Sequence, residues 1–384
     1  MANTLTNLVP DLYEALDVVS RELVGMIPSV SRNSSAERAA KDQTIRIPIT
    51  PANSASDITP AMSVPSIANQ TVGNTTLSIS KSRYAPFSWN GEEQRGQNNA
   101  VGYQQIKIAQ MAQAFRTLVN EIETDLATVG YQYASRAYGT AATTPFASTL
   151  ADSAQVRKIL DDNGAPLSGR SLVIDTTAGA ALRTLTQLTK ANEAGSAMTL
   201  RDGELLNLHG FSVKESAQIV SPTVGTASGA TSDNAGYSIG DTVITLASAG
   251  TGTLTVGDVI VFAGDTNKYV IASGDTDVSN GGTITLAEPG LKKAMSAATK
   301  AITVSATGPR NLAFSQNAIQ LVTRAPMRPE EGDLATDVEI ITDPRSGMAF
   351  EVSVYPGFRT VTYHVSIAWG YAAIKPEHIA VLLG

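Results

Sequence analysis

The sequence predicts an α+β protein organised around one long helix, with a small all-β module set into its second half. Three observations carry this expectation. Residues 98–139 hold no proline and place Ile108, Met111, Phe115, Leu118, Ile122, Leu126, Val129 and Tyr133 at alternating steps of three and four, one apolar stripe of an α-helix. Helix and strand signals alternate over 151–188. At Ser221 the composition turns abruptly to Gly, Thr, Ser, Ala and Val, and stays so to Val304.

From the N-terminus, Leu12, Leu16, Val19, Leu23 and Ile27 predict an amphipathic helix over 10–27, with Pro10 in its first turn and Pro28 ending it. Residues 29–44 are polar, too poor in apolar side chains to bury themselves, and read as an arm lying on another surface. Between 45 and 86, Pro48, Pro51, Pro60, Pro65 and Pro86 punctuate short alternating runs. Proline removes ladder donors, so this is no central sheet but a protruding two-stranded loop, which is marginal in water unless it packs on a neighbour. Arg83, Phe87, Trp89, Glu92, Glu93 and Arg95, at its close, are candidate assembly contacts. In the long helix, Asn98 or Asn99 can cap the start and Gly139 the end. Its length would be roughly 60 Å, with Phe115, Ile122 and Leu126 the candidate buried spine and Gly130 a bend or close-packing point.

Asp152 can cap a helix carrying Val156, Ile159 and Leu160. Asn163-Gly164 turns, Leu172-Val173-Ile174 is a short strand, and Thr176 or Thr177 caps a second helix. A turn at 200–204 leads to a strand near 209–213. Inside the Gly/Thr-rich stretch, strand-length runs at 242–246, 258–262, 268–271 and 283–286 fit hairpins of a separately folding module over 222–305. Two long strands, 348–355 and 359–369, joined by Pro356-Gly357, close the chain and need a face to cover them. The long helix is the available cover.

The 384 residues carry 28 basic and 35 acidic side chains, net −7. That balance disfavours a dedicated nucleic-acid binder, which needs clustered Lys and Arg. With no cysteine, disulfides and thiolate chemistry are excluded. Residues 1–10 lack the features of an export signal, and the apolar tract at 365–374 is far short of the ~20 residues that span a bilayer. His209, His364 and His378 have no metal-ligand spacing. No nucleophile elbow, phosphate-binding loop or dinucleotide fingerprint occurs. Asp275-Thr276-Asp277 opens like a calcium loop but has Asn280 and Leu286 where glycine and glutamate belong. The expectation is a protein without enzymatic activity, cofactor or metal.

Several runs resemble the major capsid proteins of tailed bacteriophages. They are 159–166 (Ile-Leu-Asp-Asp-Asn-Gly-Ala-Pro) followed by 169–174 (Gly-Arg-Ser-Leu-Val-Ile), then Leu200-Arg201-Asp202-Gly203 leading to Gly210-Phe211-Ser212-Val213. The C-terminal part adds Asn311-Leu312-Ala313-Phe314, Ala318-Ile319, Ala368-Trp369-Gly370 and Lys375-Pro376-Glu377-His378-Ile379. The order is most similar to the short-tailed Salmonella-phage coat branch, which carries a β-barrel inserted into the Hong Kong 97-like capsid fold. The resemblance implies an N-terminal arm (1–44), an extended loop (45–97), a spine helix (98–139), a capsomer-centre domain (140–221), the inserted barrel (222–305) and a return through both host domains (306–384).

It also implies a function: a coat protein assembling as pentamers and hexamers into an icosahedral shell around packaged double-stranded DNA. A scaffolding protein and a portal would be its partners, its contact with DNA non-specific, its assembly site the host cytoplasm and its final place the virion capsid. An encapsulin-type shell, or a β-rich tail or adhesin protein, are the alternatives.

Overall fold

The computed structural model describes residues 25–49, 57–58, 60, 62, 73–98, 103–189, 207–343 and 347–384. In chain order these form β1 (Ser31–Ala39), β2 (Thr44–Ile49), β3 (Gly73–Ser78), β4 (Lys81–Asn90), helices α1 (Gly91–Asn98) and α2 (Tyr103–Gln132), then β5 (Arg136–Tyr138). Helix α3 (Ala151–Asp162), β6 (Arg170–Ile174), helix α4 (Thr176–Thr184) and β7 (Ser212–Glu215) follow. The Gly/Thr-rich stretch supplies β8 (Val243–Leu246), β9 (Val259–Phe262), β10 (Lys268–Ser273), β11 (Gly282–Leu286) and β12 (Ile302–Val304). The chain ends with β13 (Arg310–Ser315), β14 (Ile319–Pro326), β15 (Asp337–Thr342), β16 (Ala349–Gly357), β17 (Thr360–Ala373) and β18 (Ile379–Leu383).

One sheet runs β1-β14-β17-β16-β15, with β4 pairing along β17 on the edge opposite β16. A second runs β12-β9-β10-β5-β18-β13-β6-β7, and β2-β3 forms a separate ribbon. Helix α2 lies across the first sheet. Phe115, Ile122 and Leu126 are fully buried, and Phe115 meets Phe350 of β16 edge-on, ring centroids 5.1 Å apart. The helix is therefore the cover that the long β16–β17 pair requires. Gly130 is a close-packing point, since a Cβ there would stand 2.5 Å from a Leu312 methyl carbon.

The helix is shorter than its stripe suggested. It ends at Gln132, about 45 Å from its start, and residues 136–138 are a strand. Both N–H and hydroxyl of Ser135 donate to the Ile379 carbonyl, and β5 then pairs with β18 and β10; tertiary partners outbid the helical ladder. Tyr133, counted in the stripe, is 39 % exposed. Gly139 takes a positive φ of 92° beyond β5 instead of closing a helix. Asn98 ends α1 and does not cap α2; Asn99 lies outside the described residues.

Other boundaries shift for local reasons. Asp175, not Thr176 or Thr177, caps α4, accepting from the N–H groups of Thr177 and Ala178. Asp152 sits in the first turn of α3 and accepts from the Phe146 N–H at 2.7 Å. The helix expected over 10–27 falls outside the described residues up to residue 24, and Pro28 lies within a 3-10 turn, Ile27–Ser29. The turn at 200–204 is likewise outside them.

The polar arm does lie on another surface, but one in its own chain. β1 pairs in parallel with β14, because backbone pairing needs no apolar side chains; Arg38 adds an ion pair to Glu351. Ahead of it, the Glu123 carboxylate of α2 accepts from the N–H groups of Gly25, Met26 and Ile27 at 2.6, 2.5 and 2.9 Å. Burial pushes this carboxyl's pKa up, and those donors pull against the shift.

Residues of β8 to β12 share a core that includes Ile244, Ile260, Phe262, Tyr269, Ile284 and Leu286. Their sheet nevertheless continues into the host through β10, where Lys268 and Tyr269 pair with Ala137 and Arg136.

Truncating a buried large side chain removes transfer energy and leaves a cavity, about 2–5 kcal/mol. Ile122→Ala should cost that much in urea denaturation of the monomeric chain, and Gln113→Ala, on the exposed face, less than about 0.5 kcal/mol. Equal effects would refute the burial of the stripe.

Candidate assembly surface

Strand β4 carries Arg83, Phe87 and Trp89 of the contacts expected from the sequence and leads straight into Glu92, Glu93 and Arg95 on α1. It pairs with β17 from Asn90↔Thr360 to Lys81↔Trp369, and among the described residues its other edge has no strand partner. Pro86 is tolerated there because an edge strand can lose a donor. Lys81 ties the strand to α2, its ammonium donating to Glu121 at 3.0 Å and Asp125 at 2.9 Å. The other Asp125 oxygen accepts from the Trp369 indole at 2.9 Å. Burial lowers the affinity of Lys81 for its proton, but the two carboxylates outweigh it and its pKa is raised.

Between strand and helix lies an open recess of 490 Å³ bordered by Arg83, Tyr84, Phe87, Gln113, Leu118 and Glu121. Arg83 is 59 % exposed, 3.5 Å from Glu121. Phe87 is half-buried and stacks on Tyr363, centroids 5.1 Å apart. Trp89 is buried in the subunit core and donates to Gln110 at 2.6 Å, so its indole presents no free surface. Glu93 is engaged in a capping box. Its carboxylate accepts from the Asn90 N–H at 3.0 Å, while the Asn90 side chain accepts from the Glu93 N–H at 2.7 Å. Glu92 and Arg95 are exposed on α1.

Sequence reasoning missed Tyr84 and His364, which stack 4.8 Å apart on the opposite face of the β4–β17 pair, with Tyr355 at the same distance from the imidazole. Their partnership crosses 280 positions of chain and leaves no local signal. The reciprocal Asn90/Glu93 cap was legible as Asn-x-x-Glu.

The ribbon is the second component. Thr44↔Ser78 to Ile49↔Gly73 is a two-stranded pairing, with Leu77 and Ile79 buried at its base against the sheet. Beyond it, Ile58 and Met62 are fully exposed, at 98 % and 109 %. Among the described residues no group of three His, Cys, Asp or Glu could hold a metal, and no helix is long and apolar enough to cross a membrane.

No family model and no curated protein matches the sequence. Among solved structures the chain is similar to one from Mycobacterium phage Che8, 13 % identical over 90 % of this chain and 85 % of that one, TM-score 0.43. It is also similar to the capsid of the cyanophage P-SCSP1u, 12 % identical over 92 % and 86 %, TM-score 0.49. A virus-like particle from Pyrococcus furiosus is 11 % identical over 97 % and 98 %, TM-score 0.43.

Burial pulls the pKa of both His364 and His378 below the ordinary 6.5, against a smaller upward pull from Asp333 and Glu377 respectively. A histidine that resists protonation when folded stabilises the protein fully above pH 6.5. That contribution drains away as the pH falls, because the unfolded chain takes up the proton first. Subunit melting should therefore drop between neutral pH and pH of about 5, and the double variant H364N/H378N should flatten this slope. An unchanged slope would mean that neither ring resists protonation.

Proposed function

We propose that this chain is a structural coat subunit, non-catalytic, whose copies self-assemble into an icosahedral shell around packaged double-stranded DNA. The observation that carries the reading is the ribbon. Two strands anchored at one end, with large apolar side chains wholly in water at the other, are marginal alone and gain stability when laid on an adjacent copy. The edge of β4 that has no strand partner among the described residues offers a second such contact. Closed symmetry among identical copies would satisfy every such segment at once.

The resemblance in residues 159–174 and 311–379 supports the Hong Kong 97-like form of the fold, with 222–305 as an inserted barrel, 45–97 as the extended loop and 98–139 as the region of the spine. It also supports a scaffolding protein and a portal as assembly partners in the host cytoplasm. Net charge −7 fits a wall that contains DNA without gripping it.

The double substitution I58D/M62D tests this. It should leave the melting temperature of free subunits unchanged while closed particles vanish from sedimentation profiles and electron micrographs. Particles of normal size and yield would remove the ribbon from assembly.

A further inference from the structure

Where the Gly/Thr-rich module meets the host, a recess of 260 Å³ opens between α3, β5 and the start of β10. Arg136, Lys158 and Lys268 line it, with Asp162 the one carboxylate among its lining residues. A fourth cation, Lys292, stands beside it, its ammonium 3.5 Å from the Asp162 carbonyl. In a chain of net charge −7 this concentration of positive charge is anomalous. The nearby Asp265 carboxylate, which accepts from Asn267 and the Tyr269 hydroxyl, reduces this excess without cancelling it.

Arg136 is the informative member. It is 5 % exposed, and its Nε has no hydrogen-bond partner. Its remaining bonds are long: 3.3 Å to Asn267, and 3.4 Å to Asp162, Asn163 and the Ile159 carbonyl. A buried guanidinium normally finds short, charge-assisted partners of about 2.7–2.9 Å, and leaving one loosely held is costly. Its cationic neighbours are under strain of the same sign. Burial pulls the Lys268 pKa down, helped by Arg310, and burial pulls Lys292 down, helped by Arg136.

The geometry points to this recess as a binding site for a small phosphate-class anion, held by Arg136, Lys158 and Lys268 with the Asn267 and Gln155 amides beside it. Several acceptor oxygens on one centre match a guanidinium fork and two ammonium groups. At about 30 Å³ per water, the volume suits one phosphate group with several waters, not a duplex. Because Arg136 belongs to β5 and Lys268 to β10, the ion would also clamp the module to the host. This site does not depend on shell assembly.

The test is calorimetric titration of unassembled full-length subunits with orthophosphate, against sodium chloride at equal ionic strength. One saturable site is expected, together with a rise in melting temperature that follows occupancy. Lys158 is exposed, so K158A and K158E should keep the circular dichroism of the parent while weakening binding about tenfold or more. K41A, on the distant arm, should bind as the parent does. Stabilisation by chloride equal to that by phosphate would overturn the proposal, as would binding indifferent to K158A and K158E. So would binding of a duplex oligonucleotide without binding of orthophosphate.

Discussion

The subunit depends on one contact, the apolar stripe of α2 laid on β16 and β17. Met111, Phe115, Leu118, Ile122 and Leu126 share a single core with Phe350, Val352, Val365, Ile367 and Trp369. Everything else is fastened to that layer. Glu123 catches the chain at Gly25 to Ile27 from the helix flank, Asp125 and Glu121 hold β4 through Lys81, and Gly130 admits Leu312 so that the second sheet can approach. A cavity in the stripe would loosen the arm, the edge strand and the junction of the two sheets together, because each takes its position from the helix.

The polar groups along this helix divide the work by burial. Glu123 is 1 % exposed and accepts from three successive backbone N–H groups as well as from the Ser216 side chain, so its role is to orient the incoming chain. Lys81, Glu121 and Asp125 lie nearer water, where an isolated pair is worth about 0–1 kcal/mol. Their value is geometric: the Asp125 carboxylate bridges the Lys81 ammonium and the Trp369 indole, fixing strand, helix and sheet in one register.

The long helix, the closing strand pair, the two-stranded ribbon and the change of composition at Ser221 were legible because each has a period or a composition of its own. What escaped was set by distant partners. Residues 133–139 continue a helical pattern yet form β5, since β18 and β10 flank them. The arm at 31–39 has no apolar face to announce a strand and is one because β14 offers an edge. Of the six expected contacts, Arg83, Glu92 and Arg95 face solvent. Trp89 turns inward to Gln110, Glu93 closes a helix cap and Phe87 divides itself between core and surface; residue type alone does not distinguish these fates. The cationic recess had no sequence signature, its members lying at 136, 158 and 268.

A ribbon with bare apolar side chains and a sheet edge without a strand partner among the described residues are tolerable in a chain whose copies cover them, as the proposed shell requires. The most direct measurement is electron microscopy, paired with sedimentation velocity, of the overexpressed full-length chain. Closed, hollow particles in a narrow range of diameters are the expected result. A chain that stays monomeric at every concentration reached, or forms only open and irregular aggregates, alone and with the proposed scaffolding partner co-expressed, would contradict the proposed shell.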